Sequence, residues 1–146
     1  MIVCFIGHRK IENNKKLKEN LTKFIYELIP KGADTFLFGS KSEFDNLCYE
    51  IVTAAKYDFT NIKRIYVRSS YPYIDSAYKN YLYQFYEETY YPDKLKNAGK
   101  ASYIKRNQEM INKADICIFY YNKDYTPPAK LNTKSHIENN KSKSRI

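Results

Sequence analysis

The amino-acid sequence predicts an α/β protein in which a mostly parallel, four-stranded sheet lies between helices as a three-layer sandwich. Short apolar runs alternate along the chain with segments whose apolar residues recur at helical spacing. A glycine or a polar residue follows each apolar run, and 146 residues is the length of one domain. Strands that are separated by helices pair in parallel, so the predicted order is β-α-β-α-β-α-α-β.

The first strand is predicted from a continuous apolar run and the first helix from apolar residues at helical spacing. The run Ile2–Ile6 is continuously apolar and ends at Gly7, which is typical of a strand buried on both faces. Between Leu17 and Leu28 the apolar residues fall on one face of a helix. Pro30 and Gly32 are expected to end that helix.

The second strand and helix follow the same order. Thr35–Phe38 is a short apolar run that stops at Gly39. Ser42 is a suitable N-cap for a helix, and the apolar face of that helix runs from Phe44 to Ala55.

The second half of the chain is rich in tyrosine. Ile62–Val67 predicts a third strand, and we expect a loop to Ile74, a helix over residues 75–89 and a break at Pro92.

Ser102 is expected to cap a further helix, which runs to Lys113, and Asp115–Tyr121 predicts the fourth strand. We place the folded domain at residues 1–128. Residues 129–146 are polar, basic and without periodicity, and we expect a disordered tail.

The composition limits the class of protein. Twenty-five Lys and Arg against 16 Asp and Glu give a net charge of +9, of which residues 129–146 hold +4. A basic chain permits anionic partners such as nucleotides, nucleic acid or acidic lipid. No apolar run of about 18 residues predicts a membrane helix, and the apolar start is too short for a signal peptide, so we expect a cytoplasmic protein.

Cysteine usage agrees with that location. Cys4, Cys48 and Cys117 are odd in number and far apart in sequence, which argues against a disulfide scaffold or a zinc site. We expect buried thiols, no metal and no cofactor.

The residues that follow the first strand are candidates for an anion site. Parallel strands bring their C-terminal ends to one edge, where ligands bind in open α/β sheets. Gly7 allows close backbone approach, the next helix offers free N–H groups, and Arg9 is a candidate clamp for a phosphate. The alternative is a plain turn with a surface charge. His8 has no nucleophile at a fixed spacing, which argues against catalysis.

A similar group follows the second strand. Gly39 and Ser40 lie at the turn, and Phe44 and Asp45 begin the helix. Asp45 is either a partner for the helix dipole or a ligand for ribose hydroxyls or a base edge.

On the last predicted helix, Arg106 and Asn107 are candidates to reach the same edge. The alternative is an ordinary solvated helix face. For the many tyrosines, packing and rim positions are favoured over a stacking surface.

Taken together, these motifs resemble the SLOG superfamily, which contains the SMF/DprA and LOG ("Lonely guy", lysine-decarboxylase-like) proteins, and most resemble its YpsA-like bacterial branch. The resemblance covers about residues 1–125 and rests on an ordered set of segments. These are Cys4–Arg9, Phe38-Gly39 with Phe44-Asp45, and Arg106-Asn107 before Ala114–Ile118.

The resemblance implies a Rossmann-like fold that binds a nucleotide or nucleotide-derived ligand at the strand ends. It implies that the pocket is lined by Gly7, Arg9, Gly39, Ser40 and Asp45. Arg106 with Met110 resembles the Arg-x-x-x-Met segment of the LOG enzymes, whose arginine serves N-glycosidic cleavage of nucleoside monophosphates.

The chain departs from the family pattern after the fourth strand. LOG enzymes carry a Gly-Gly-x-Gly-Thr-x-x-Glu loop there, whereas this sequence has no glycine after Gly99. We therefore expect a C-terminally incomplete fold, from truncation or as a minimal form. An open edge and an exposed apolar face on the fourth strand are then expected, with low stability or self-association, such as a homodimer.

Three functions remain open from the sequence. The first is a sensor or binder of a nucleotide-like small molecule. The second is a nucleoside-monophosphate N-glycosidase in which Arg106 orients the substrate, although no carboxylate stands where the family has its glutamate. The third is weak, non-specific nucleic-acid binding through the basic tail.

Overall fold

The computed structural model describes residues 1–12 and 15–121. The predicted tail over residues 129–146 and the predicted domain boundary at residue 128 lie outside the described residues. So does the segment in which the resembled LOG enzymes carry their glycine-rich loop. Within the described ranges there are five strands and four α-helices. The strands are β1 (Ile2–Ile6), β2 (Thr35–Phe38), β3 (Lys63–Val67), β4 (Glu88–Tyr90) and β5 (Ile116–Phe119). The helices are α1 (Lys15–Leu28), α2 (Glu43–Ala55), α3 (Ser76–Leu82) and α4 (Ser102–Lys113).

The strands form one all-parallel sheet in the order β4-β3-β2-β1-β5. The chain moves outward from β1 to β4 and then returns to place β5 beside β1, with Cys117 opposite Cys4. This is a Rossmann-like three-layer α/β fold, and it confirms the predicted fold class. The sheet has five described strands where the sequence predicted four.

Both faces of the sheet are covered, as the continuous apolar run in β1 predicts. Val3 and Phe5 belong to the core shared with α1 and α2, while Cys4 and Ile6 belong to the core shared with α4. Phe5 stacks on Phe38 with ring centroids 5.2 Å apart. Since neighbouring residues of a strand point to opposite faces, β1 is the central strand of two separate cores.

The predicted signals for α1 and α2 are confirmed. α1 ends at Leu28, and a short 3-10 turn over Ile29–Lys31 leads to Gly32, which has a φ of +113°. The hydroxyl of Ser42 accepts a hydrogen bond from the Asp45 N–H at 3.0 Å and caps α2.

The predicted helix over residues 75–89 is wrong in its second half. α3 ends at Leu82, which is its one buried residue, and residues 88–90 form β4 beside β3. Arg64 of β3 binds Glu87 through both backbone and side chain and so fixes the chain in an extended form there. A tertiary contact therefore determines the extended conformation of this segment, and the local sequence pattern does not indicate that contact.

The predicted cap of α4 is also wrong. A 3-10 turn over Gly99–Ala101 runs directly into α4, so Ala101 occupies the N-cap position and Ser102 is the first helical residue.

The expected exposure of the last strand's apolar face is contradicted as well. Cys117, Ile118 and Phe119 are each at most 1% exposed. Cys117 and Phe119 pack in the α4 core and Ile118 packs in the α1–α2 core, because β5 is sandwiched like its neighbour β1.

Cys4, Cys48 and Cys117 are buried, as predicted. None of the described helices is long and apolar enough to span a bilayer.

A charged network joins α2, β3 and the segment before β4. The Arg64 guanidinium donates to Glu87 Oε1 at 3.1 Å and Oε2 at 2.7 Å, and to Tyr49 and Thr53 of α2. Partial burial raises the pKa of Glu87, but the hydrogen bonds from Arg64 lower it by more. The pKa of Glu87 therefore lies below its ordinary value. Ionised Glu87 therefore stabilises the fold.

We expect Glu87→Gln to reduce the free energy of unfolding at pH 7 by about 1–3 kcal/mol, because it leaves Arg64 without its charged acceptor. A depressed folded pKa gives stability that is present above the unfolded pKa and lost as the pH falls through the folded pKa. The difference in free energy of unfolding between wild type and Glu87→Gln, measured by urea unfolding, should thus become smaller below about pH 4.5.

The neighbouring Glu88→Gln is the control, since the Lys63–Glu88 pair is exposed and such pairs contribute less than about 1 kcal/mol. Equal losses for the two variants would contradict a special role for Glu87.

Candidate functional site

Charged and polar side chains converge where β2 and β3 end. We call this group the strand-end cluster, and it comprises Gly39, Asp45, Tyr66, Arg68 and Arg106. Gly39 and Arg68 directly follow β2 and β3, Asp45 lies in the first turn of α2, and Arg106 lies on α4. The parallel topology brings these elements to one edge.

Asp45 is the least satisfied group in the cluster. Its residue is 4% exposed, and Oδ1 is buried with no hydrogen-bond partner among the described residues. Burial raises the pKa of the Asp45 carboxyl well above its ordinary value, while the charge of Arg106 and a hydrogen bond from the Gly39 backbone oppose that rise. A buried polar atom without a partner costs about 1–3 kcal/mol, so this position demands an explanation.

Arg106 is buried beside Asp45, at 3% exposure. Its Nε and Nη2 donate to Asn107 Oδ1 at 3.3 and 3.2 Å, and the guanidinium carbon lies 5.5 Å from the Tyr103 ring centroid. Burial lowers the pKa of Arg106, and Asp45 acts in the opposite direction. No carboxylate of the described residues lies within 4.0 Å of this guanidinium.

Gly39 is what admits Arg106 to the edge of the sheet. A Cβ at this position would lie 2.7 Å from Met110 Sδ and 2.8 Å from Arg106 Nε. Two side chains of α4 fill the space that a Cβ would occupy, so the absence of a side chain at Gly39 makes room for Arg106.

Gly7 has a comparable role on β1. A Cβ there would lie 2.5 Å from Phe44 Cγ and 2.8 Å from Phe44 Cβ. Phe44 is fully buried and stacks on Tyr120 with centroids 5.7 Å apart. The structure therefore places both residues, expected near a ligand, in the packing between β1, α2 and the end of β5.

The other predicted residues lie around the start of α2. His8 packs against Tyr120 and Tyr121, at centroid distances of 5.6 and 5.7 Å, where the strand order reverses between β1 and β5. The Arg9 carbonyl accepts a hydrogen bond from the Glu43 N–H at 2.7 Å, and its side chain is exposed. Ser40 Oγ donates to Ser42 Oγ at 3.0 Å. Among the described residues, no hydrogen bond or ion pair links the Arg9 side chain to the strand-end cluster.

Arg68 was not among the predicted site residues. It is 7% exposed, donates to the Tyr71 carbonyl at 3.2 Å and to Thr89 Oγ1 at 3.0 Å, and has no described carboxylate within 4.0 Å. Its position directly after the predicted third strand was a usable signal. Its burial was hidden because Thr89 belongs to β4, which the sequence pattern assigned to a helix.

Tyr66 completes the cluster. Its ring stacks on Tyr86 at 5.2 Å, and burial raises the pKa of its hydroxyl. The charges of Arg106, Asp45 and Arg68 all act on the pKa of this hydroxyl, so Tyr66 lies within electrostatic range of each of them.

A concave region lies away from the strand-end cluster, on the flank of α4. This groove of about 520 Å³ is lined in part by Tyr90, Tyr91, Glu109 and Lys113. Lys113 Nζ lies 4.4 Å from the Tyr90 ring centroid. No unpartnered buried polar atom among the described residues points there, so the chemistry favours the strand-end cluster. The described ranges also hold no group of three His, Cys, Asp or Glu arranged for a metal.

Comparison with known proteins gives no assignment. No protein-family model matches the chain, and no curated protein is similar to it in sequence.

We expect Asp45→Asn to raise the free energy of unfolding at pH 7 by about 1 kcal/mol, because it removes a buried ionisable group with no full set of partners. The folded pKa is raised, so the wild type loses stability as the pH rises from the unfolded value, about 3.9, toward the folded value. The advantage of the variant should therefore be small near pH 4 and grow with pH.

Urea unfolding at several pH values measures this difference, and Asp58→Asn, at an exposed position, is the control. A variant less stable than wild type at pH 7 would mean that the carboxylate is a net stabilising partner of Arg106.

Proposed function

We propose that the protein binds a nucleotide or nucleotide-derived ligand at the strand-end cluster, as a sensor or binder. One observation carries the proposal. Asp45 keeps a buried oxygen with no hydrogen-bond partner among the described residues, beside the buried guanidinium of Arg106, which has no described carboxylate within 4.0 Å. Such an arrangement is unfavourable for stability alone and suits a ligand that supplies the absent partners.

The donors suit a phosphate. Arg106 Nη1 and Arg68 Nη2 have no acceptor among the described residues. Guanidinium groups bind phosphate oxygens through short, charge-assisted hydrogen bonds, and their strength increases where water is excluded. Arg9, exposed near the start of α2, adds a further cation at the same edge.

The acceptor suits the rest of a nucleotide. An ionised Asp45 Oδ1 accepts from ribose hydroxyls or from an N–H on the edge of a base. The position at the C-terminal edge of a parallel sheet is where such ligands bind in open α/β folds. The sequence resemblance to the SLOG superfamily points in the same direction, and the net charge of +9 favours an anionic ligand.

A second candidate is N-glycosidic cleavage of a nucleoside monophosphate. Burial keeps the pKa of Asp45 high, so its carboxyl is a candidate acid beside Arg106. In this reaction water adds to C1′ of the ribose, the C1′–N bond breaks, and the departing base takes the electron pair of that bond and a proton from Asp45. The proton that the attacking water releases restores the Asp45 carboxyl. Nucleic-acid binding by the tail rests on residues outside those described, and stays a prediction.

The binding proposal is tested by thermal unfolding and calorimetry of the full chain with AMP, ADP, ADP-ribose, NAD and inorganic phosphate. We expect at least one nucleotide to raise the melting temperature. A ligand present at about 100 times its Kd stabilises the native state by about 2.7 kcal/mol.

We expect Asp45→Asn and Arg106→Lys to weaken that binding by about tenfold or more, since each removes a charged or bidentate contact. Asp45→Asn should remain folded, so its loss of binding cannot be attributed to unfolding. Lys105→Gln, an exposed neighbour on α4, is the control. A stable wild-type protein that no nucleotide shifts would overturn the proposal, and release of adenine from AMP would select the glycosidase.

A further inference from the structure

A strained tyrosine lies at the rim of the strand-end cluster. Tyr71 has a φ of +60°, and it is 66% exposed. A bulky residue in the left-handed region is an outlier, and such strain concentrates at binding and catalytic sites. Neither burial nor a core contact explains why an aromatic ring is held in this position.

Arg68 holds Tyr71 there. Its Nε donates to the Tyr71 carbonyl at 3.2 Å, while Nη1 donates to Thr89 Oγ1 at 3.0 Å. The backbone N–H of Arg68 also donates to the Tyr90 carbonyl at 2.9 Å. One buried side chain thus fixes the strained residue, and Nη2 of Arg68 has no acceptor among the described residues.

Tyr78 forms the other half of the rim. Its ring lies edge-to-face with Tyr71, with centroids 6.1 Å apart and planes at 70°. Its backbone N–H donates to Asp75 Oδ1 at 2.8 Å, which fixes it in the first turn of α3. Tyr78 is linked to the strand-end cluster through Tyr71, whose carbonyl binds Arg68.

We propose that Tyr71 and Tyr78 form a stacking rim for the heterocyclic base of a ligand whose phosphate is bound by Arg68 and Arg106. This inference rests on the proposed function and narrows the ligand class to nucleotides with an intact base, as opposed to sugar phosphates or free phosphate. Base–aromatic stacking tolerates different bases, because every base has a π-face.

Exposure alone does not select these two rings. Tyr73 is 84% exposed and lies two residues from Tyr71, yet no strained backbone or bond to a buried arginine holds it within the described structure. Tyr71 differs because the backbone strain and the bond to Arg68 occur together. Tyr73 is therefore the matched control for an exposed tyrosine of the same loop.

The test compares AMP with ribose 5-phosphate by titration calorimetry on the full chain. We expect wild type to bind AMP more tightly than ribose 5-phosphate. Tyr71→Gly should weaken AMP binding by about 5- to 150-fold, the range that corresponds to loss of one base stack, and leave ribose 5-phosphate binding unchanged. Glycine tolerates a positive φ, so this variant removes the ring without adding strain.

Three further variants complete the design. Tyr78→Ala should act like Tyr71→Gly, Tyr71→Phe should retain most of the AMP affinity, and Tyr73→Ala should match wild type. Equal wild-type affinity for AMP and ribose 5-phosphate would contradict the proposed stacking rim but not the proposed phosphate site. So would a Tyr71→Gly variant with unchanged AMP binding, or a Tyr73→Ala variant with an equal loss. A wild type that binds neither compound would overturn both the rim and the proposed function.

Discussion

The burial of Asp45 and Arg106 side by side at the end of β2, without an ion pair within 4.0 Å, is the constraint on which the rest of the site depends. Each charge is removed from water, and neither receives full compensation from the other. A side chain at Gly39 would displace Met110 or Arg106 from its observed position. The cluster therefore lowers the stability of the protein, and a ligand that pairs with both groups removes that penalty.

The two charges also connect the two halves of the fold. Asp45 belongs to α2, which packs on one face of the sheet, while Arg106 belongs to α4, which covers the other face. They meet only because β2 ends between them. The Arg64–Glu87 network fixes β4 beside β3, and β4 in turn supplies Thr89 to hold Arg68. The site geometry therefore depends on contacts between elements that are distant in sequence.

The sequence predicted the parts of the fold that local patterns determine. Continuous apolar runs located β1, β2 and β5, an alternating pattern located β3, and Ser42 located the start of α2. Residues 88–90 carry no comparable run, so β4 could not be recognised from them. Asp45 and Arg106 were identified as candidates by position. The packing roles of Gly7 and Gly39 could not be identified from the sequence. A glycine that makes room for a side chain looks the same in sequence as one that makes room for a ligand.

The most direct test of the central claim is the titration of the Asp45 carboxyl carbon by ¹³C NMR, with Asp45→Asn used for assignment. If Asp45 is a buried group kept for a ligand, its pKa lies well above 3.8 in the free protein, and its chemical shift changes as AMP occupies the site. A carboxyl that titrates near its ordinary value and does not respond to AMP at any concentration would contradict the account.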